Sequence, residues 1–186
     1  MKNFIFFVGL LLFASGSVAS EKDLKEFIWI NKVNFHKSSS KTISPVIESL
    51  LELKSIGTEK FLSRWLKKEL WFRKSDGLVV IAKKLEKKSY QIFDVVDEQL
   101  IEVIDKKKIK QIKPNSGVRA IISSALVQFQ LLNADPIIRS KTLDSIARKP
   151  DEKFRMPLRK AIEKENNLTI KNRMIRLEKL LTVRFE

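Results

Sequence analysis

The spacing of apolar residues changes twice along this sequence, and this change limits the possible folds more than any other feature. Apolar residues recur every three to four positions through residues 20–70, at every second position through residues 71–104, and again every three to four positions from Ser116 onward. The first and last patterns are typical of amphipathic helices, and the middle one is typical of β-strands. The sequence therefore predicts a mainly α-helical fold with a small antiparallel β-meander inserted at residues 71–104.

The predicted meander begins with a hairpin. Residues 71–74 and 78–82 are rich in aromatic and β-branched side chains, and Ser75-Asp76-Gly77 between them is a turn signal. Two further β-favouring runs, residues 90–96 and 100–104, bring the predicted meander to four strands. Because apolar residues alternate in these runs, we expect one face of the sheet to be buried and the other to face water.

The helical parts predict about seven helices, three in residues 20–70 and four in residues 105–186. Residues 133–147 and 167–181 align at a fixed offset, which places Arg173 one repeat after Arg139. Asp135 before Pro136 predicts a helix N-cap. We therefore expect a short HEAT-like solenoid, with residues 20–186 forming one domain. In it Arg139 and Arg173 tie neighbouring turns together, and an anion site is the alternative role for these two arginines.

The N-terminus has the pattern of a secretory signal. Lys2 precedes an apolar run from Phe4 to Phe13, and Ser17-Val18-Ala19 supplies the small residues that signal peptidase requires. Residues 1–19 are therefore predicted to be a cleaved signal peptide, with an uncleaved membrane anchor as the alternative. Either interpretation predicts an exported protein. The absence of cysteine excludes disulfides as a source of stability.

The formal net charge of +15 predicts attraction to acidic partners or anionic lipid. Nucleic acid is not an expected partner, because the protein is predicted to be exported and its lysines are scattered over every segment. The densest basic run is residues 105–113, "DKKKIKQIK". Its lysines either dock to an acidic partner or lipid headgroups, or belong to a solvated strand end that leads into a helix.

A possible interaction surface combines aromatic and basic residues. Trp71 and Phe72 either form a recognition platform or seal the seam between two layers of the fold. The residues assigned to this surface are Trp71, Phe72, Arg73, Lys106, Lys107, Lys108, Lys110 and Lys113.

Catalysis has little support in the sequence. The chain has no cysteine and one histidine, His36, which lies in a polar stretch and is expected to be exposed to solvent. No carboxylate lies near His36 to orient it as a base, and Cys/His metal sites are excluded by count. No glycine-rich phosphate loop is present. We therefore expect a non-catalytic protein without a cofactor or a metal.

Three stretches resemble the N-terminal, exported extension of the permease subunit of bacterial urea ABC transporters, the UrtB family. They are "KELWFRKSDGLVVIAKK", the following "SYQIFDVVDEQLIEV", and the return to helix from "IKPNSGVRAI" to "LDSIARKPD". The hairpin is the more specific part. The positions that match the family pattern are Phe72, Arg73, Lys74, Asp76, Gly77, Val79, Val80 and Ile81 in the hairpin, and Leu126, Phe129, Leu131, Asp135 and Arg139 at the repeat start.

The resemblance implies an accessory periplasmic domain of a urea or branched-chain-amino-acid-type importer, at the outer face of the inner membrane. In the family a membrane-spanning permease domain follows this extension, and the present sequence ends at Glu186, about where that domain would begin. We therefore expect either a separately encoded domain or a part of a longer permease. Its expected partners are the membrane subunit or a periplasmic substrate-binding protein. The alternative is a free-standing basic periplasmic protein that binds anionic lipid or polysaccharide.

Overall fold

The structure of this chain is a computed structural model that describes residues 20–186. The predicted signal peptide, residues 1–19, lies outside the described residues. Within the described residues four helices precede the sheet, and their bounds are α1 Glu21–Ile30, α2 Lys32–His36, α3 Ser40–Glu52 and α4 Thr58–Leu66.

Side chains at the helix starts explain where these helices begin. The Ser20 hydroxyl accepts from the N–H of Asp23, whose carboxylate accepts from the N–H of Ser20, and this capping box starts α1. Ser39 and Thr42 form the equivalent pair at α3. The single helix predicted before "SSSK" is divided at Asn31, whose side-chain amide donates to the carbonyl of Phe27. This division raises the number of α-helices within residues 20–186 to eight.

The sheet has five antiparallel strands within the described residues, one more than predicted. Their bounds are β1 Leu70–Arg73, β2 Val79–Lys84, β3 Ser89–Asp94, β4 Leu100–Asp105 and β5 Ile109–Gln111. The strand order is β4-β3-β2-β1-β5, so β5 pairs with β1. The predicted boundary between residues 104 and 105 is therefore wrong, because the lysine-rich run supplies a strand to the sheet before the C-terminal helices begin.

The sheet is strongly curled. Its two edge strands, β4 and β5, are joined only by a single turn of 3₁₀-helix, Lys106–Lys108. Arg73 on β1 donates to the carboxylate of Glu102 on β4 at 2.5 Å, although two strands lie between them in the sheet. Because neighbouring strands are about 4.8 Å apart, this contact requires the sheet to bend around that face.

Both faces of the sheet carry apolar side chains, so the prediction of one buried and one solvated face is wrong. Val80, Ile92, Tyr90, Ile104 and Ile109 form a small cluster of their own. Residues one position away along the strands belong to the large helical core. The small cluster stays buried without a helix over it because the curled sheet encloses it.

The main core lies between the sheet and the helices. Trp65, Phe61 and Phe35 are fully buried, and the ring of Phe35 makes edge-to-face contacts with the other two rings. Leu70 and Ile81 from the sheet join the same core. These large side chains are the main apolar anchors of the N-terminal half.

The C-terminal half consists of two helical hairpins. The helices are α5 Ser116–Leu131, α6 Pro136–Arg148, α7 Arg155–Lys164 and α8 Leu168–Phe185. Helix α5 packs against α6 and α7, and α8 packs against α6 and α7. The predicted cap is confirmed, because the Asp135 carboxylate accepts from the N–H of Ile137 at the start of α6. A mainly helical fold with an inserted antiparallel sheet is likewise confirmed.

Helix α5 connects the two halves. Val118 and Ile122 on its first turns belong to the core beneath the sheet, whereas Val127 and Leu131 belong to the core of the C-terminal hairpins. No helix between Ser20 and Glu186 combines the length and apolar character that crossing a bilayer requires.

Candidate interaction surface

A groove of about 520 Å³ follows β5. It includes five of the eight residues that the sequence assigned to an interaction surface. Its lining residues are His36, Trp71, Phe72, Lys106, Ile109, Lys110, Gln111, Ile112 and Lys113. We call this the β5 groove.

Trp71 and Phe72 lie on opposite faces of β1. The ring of Trp71 packs beside Tyr90, with 5.4 Å between the ring centroids, next to the small cluster within the curl. Phe72 packs against the main core on the helical side. Both rings are partly exposed, so each seals a layer of the fold and also contributes to the wall of the β5 groove.

The prediction that His36 is a solvent-exposed linker residue is wrong. His36 ends α2, and its ring stacks on Phe72 with 3.9 Å between centroids. Gly77 also lies close to the ring, since a Cβ added there would come within 3.0 Å of His36 Cε1. Burial lowers the pKa of His36, the backbone of Gly77 opposes this, and the positive charges of Lys32 and Lys37 lower it further. His36 Nε2 is buried and forms no hydrogen bond of acceptable geometry with residues 20–186.

Within residues 20–186 no acidic side chain neutralises the lysines of the basic run. Lys106, Lys110 and Lys113 line the β5 groove, and Lys107 and Lys108 lie exposed on the 3₁₀ turn beside it. Within the described part of the chain, none of these five lysines forms an ion pair. Their charges therefore remain available to a partner.

Arg73 does not line the β5 groove, although the sequence assigned it to the possible interaction surface. Its guanidinium donates to both carboxylate oxygens of Asp76, at 3.1 and 2.6 Å, and to Glu102. The hydrogen bonds from Arg73 hold the pKa of Asp76 below its usual range despite its partial burial. Asp76 also accepts from the N–H of Leu78, so Arg73 stabilises the hairpin turn and the curl of the sheet.

The outer edge of β5 has free backbone groups. The N–H of Ile112 donates to the carbonyl of Leu70, and the carbonyl of Lys108 accepts from Lys74. Peptide groups alternate in direction along a strand, so in this register Lys110 faces β1 and Gln111 faces outward. No hydrogen bond from the backbone of Gln111 to another backbone group occurs within residues 20–186.

The remaining predicted positions lie in the C-terminal hairpins. Arg139 on α6 holds Glu165, in the turn before α8, through two hydrogen bonds of 2.6 and 2.9 Å. Arg173 on α8 donates to Ser140 and Asp144 on α6, both at 2.5 Å. Each arginine thus ties one hairpin to the other, and each is occupied by a protein partner.

A second concavity of about 680 Å³ lies between the two turns of these hairpins, with Arg139 and Glu165 in its wall. Arg139 and Glu165 in its wall are paired with each other, and the third charged residue of its lining is Lys164. Within residues 20–186 no group of three or more histidine, aspartate or glutamate side chains is arranged to hold a metal ion.

Comparison of the chain with protein-family models, with curated proteins and with solved structures finds no match.

Proposed function

We propose that this protein is a non-catalytic interaction module that binds an acidic partner at the β5 groove. The observation that carries the proposal is a set of five lysines that form no ion pair with the described residues, beside a concave, partly aromatic surface. Complementary charge accelerates the encounter of two proteins and selects between partners. Partly exposed Trp71 and Phe72 add apolar area for the partner to bury.

The partner suggested by the sequence is a component of a urea-type ABC importer, either the membrane subunit or a periplasmic substrate-binding protein. This proposal rests on the hairpin and repeat-start residues that resemble the exported extension of the permease family. In the same proposal the C-terminal hairpins are two units of a short HEAT-like solenoid at the outer face of the inner membrane. The stacking of α5 on α7 and of α6 on α8 supports such a repeat.

Anionic lipid or polysaccharide is the second candidate partner. One observation favours a lipid surface: helices α1 and α2 expose Trp29, Ile30 and Val33, and the ammonium of Lys32 lies 3.1 Å from the centroid of the Trp29 ring. Exposed apolar and aromatic side chains beside lysines are typical of helices that lie on membranes.

The test compares charge reversals in two places. One variant carries Lys106→Glu, Lys110→Glu and Lys113→Glu, and the control carries Lys141→Glu, Lys160→Glu and Lys179→Glu in the C-terminal hairpins. Binding is measured by anisotropy of a labelled poly-glutamate peptide and by co-sedimentation with vesicles of phosphatidylcholine and phosphatidylglycerol. We expect the groove variant to lose at least tenfold in peptide affinity and the control to change little.

Other outcomes would contradict the proposal. Equal losses in both variants would mean that only the net charge matters. Vesicle binding that both variants retain and that Trp29→Ala abolishes would favour the lipid surface. Calorimetric binding of urea by the isolated protein would contradict a purely docking role.

A further inference from the structure

This inference rests on the proposed function, in which an acidic partner binds at the β5 groove. Within residues 20–186 the outer edge of β5 pairs with no other strand. We propose that the partner binds as an extended segment that adds a sixth, antiparallel strand beside β5. Its chemistry is an alternation of acidic and uncharged residues. This mode of binding combines backbone hydrogen bonds for affinity with side-chain contacts for specificity.

The backbone geometry supplies the first part of the argument. In β5 and directly beside it, the residues whose peptide groups face β1 are Lys108, Lys110 and Ile112. The alternate groups therefore face the groove: the carbonyl of Ile109, the N–H and carbonyl of Gln111, and the N–H of Lys113. Strand edges of this kind pair readily with another chain unless they are covered. Four hydrogen bonds are thus available to an added strand.

The side chains supply the second part. Lys110 lies opposite Phe72 on the helical face of the sheet, whereas Ile109 and Gln111 lie on the inner face. Because side chains alternate between faces in any strand, the partner's residues on the helical face stand beside Lys110. Acidic residues at every second position would place a carboxylate near Lys110 and others toward the neighbouring lysines.

The other edge of the sheet has the wrong charge for this partner. Strand β4 contains no lysine or arginine, its Glu102 is already paired with Arg73, and it exposes the apolar side chains of Leu100 and Val103. An acidic strand would meet no positive side chain on β4, and charge complementarity therefore assigns it to β5.

The antiparallel direction makes a sharp prediction about the partner's amides. Gln111 would exchange two hydrogen bonds with the residue directly opposite it, which is an uncharged residue of the partner. The N–H groups of the acidic residues would point away from β5. In a parallel arrangement the acidic residues would supply the N–H groups instead.

The experiment uses the intact chain and four labelled peptides. The parent is Thr-Glu-Val-Glu-Thr-Glu-Val-Glu, and the second peptide has the same composition with its glutamates grouped at one end. The third is the parent N-methylated at its two valines, and the fourth is the parent N-methylated at two glutamates. Affinity is measured by fluorescence anisotropy. We expect the grouped and valine-methylated peptides to bind at least tenfold more weakly than the parent, and the glutamate-methylated peptide to bind within threefold of it.

The outcomes separate this inference from the proposed function. Equal affinity for all four peptides would contradict the added strand but would leave a charge-based binding surface in place. Weaker binding of the glutamate-methylated peptide alone would contradict the antiparallel arrangement. If the parent peptide does not bind, or if it binds the Lys106→Glu, Lys110→Glu, Lys113→Glu variant equally well, the proposed function itself is wrong.

Discussion

Replacing Arg139 by methionine should be among the most destabilising single substitutions on the surface of the C-terminal hairpins. The guanidinium binds both carboxylate oxygens of Glu165 and also donates to the carbonyls of Asn133 and Ala134 at 2.7 and 2.8 Å. The Glu165 side chain is 2% exposed and that of Arg139 is 14% exposed. The substitution would leave a buried carboxylate whose remaining hydrogen bond comes from the N–H of Asn167.

The magnitude follows from this burial. Removing one partner of a buried ion pair costs about 3–5 kcal/mol, because the other charge stays in a poorly solvated place. For a chain of this size each kcal/mol lowers the melting temperature by about 2–4 °C. We therefore expect Arg139→Met to melt roughly 6–20 °C below the parent. The double variant Arg139→Met/Glu165→Leu should recover about half of the loss or more, since it removes the orphaned charge.

Urea unfolding at pH 7, followed by circular dichroism, measures each free energy of unfolding. Arg159→Met is the matched control, because Arg159 also joins α7 to α8 through Glu178 but is half exposed. The Glu178 side chain is 14% exposed, but it also accepts from the Thr182 hydroxyl and its arginine partner is half exposed, so we expect Arg159→Met to cost about 1 kcal/mol. The reasoning is refuted if Arg139→Met costs no more than Arg159→Met, or if the two substitutions at the buried pair are additive.

The pair of Arg139 and Glu165 should also make the protein less stable in acid. The hydrogen bonds from Arg139 hold the pKa of Glu165 below its ordinary value of 4.5. As the pH falls, the Glu165 carboxylate is therefore protonated at a higher pH in the unfolded chain than in the folded one. The contribution of Glu165 to the free energy of unfolding is full above pH 4.5 and is lost as the pH falls through the lower folded pKa. In Glu165→Gln this part of the acid destabilisation should be absent.

Two further predictions concern the contact between α2 and the β1–β2 turn. Burial lowers the pKa of His36 from 6.5, so the parent should lose stability as the pH falls below 6.5. In His36→Phe the midpoint of urea unfolding, measured from pH 7 to 5, should depend less on pH. An unchanged pH dependence would contradict the buried position of His36. Gly77 has φ +78° and faces the His36 ring, so Gly77→Ala should cost about 1–2 kcal/mol in urea unfolding; a cost near zero would mean that the turn adopts another conformation.

The hydrophobic period was sufficient to predict the class of elements and most of their positions. The stripes of α3 to α8 each reflect one buried face, and the alternation from Trp71 onward reflects the pleat of the strands; both are local properties of the sequence. The cap at Asp135 was predictable for the same reason, since a cap depends on residues two or three positions away. The curl of the sheet was not predictable, because it depends on Arg73 reaching Glu102 across two intervening strands.

The candidate site was predicted only in part. Five of its residues were found because aromatic and basic side chains are conspicuous in sequence, but β5 was missed because a three-residue strand between lysines has no usable period. His36 was misplaced because its neighbours in the chain are polar, whereas its contacts are with Phe72 and Gly77, about 40 residues away. Gly77 could have indicated that another group packs against the turn, because a glycine that adopts a positive φ also leaves space where a side chain would lie.

The charge of Lys110 on β5 and of the lysines beside it has two consequences. A free strand edge invites pairing between copies of the same chain, and lysine on the edge is a common defence against it. Two β5 edges brought together would oppose Lys110 and its neighbours with like charges, which is unfavourable for directly opposed strands. The same charges attract an acidic strand, so an edge protected against its own copy is selective for a partner of opposite sign. Because exposed charges are screened over about 10 Å at 0.1 M salt, both the protection and the attraction should weaken together as salt rises.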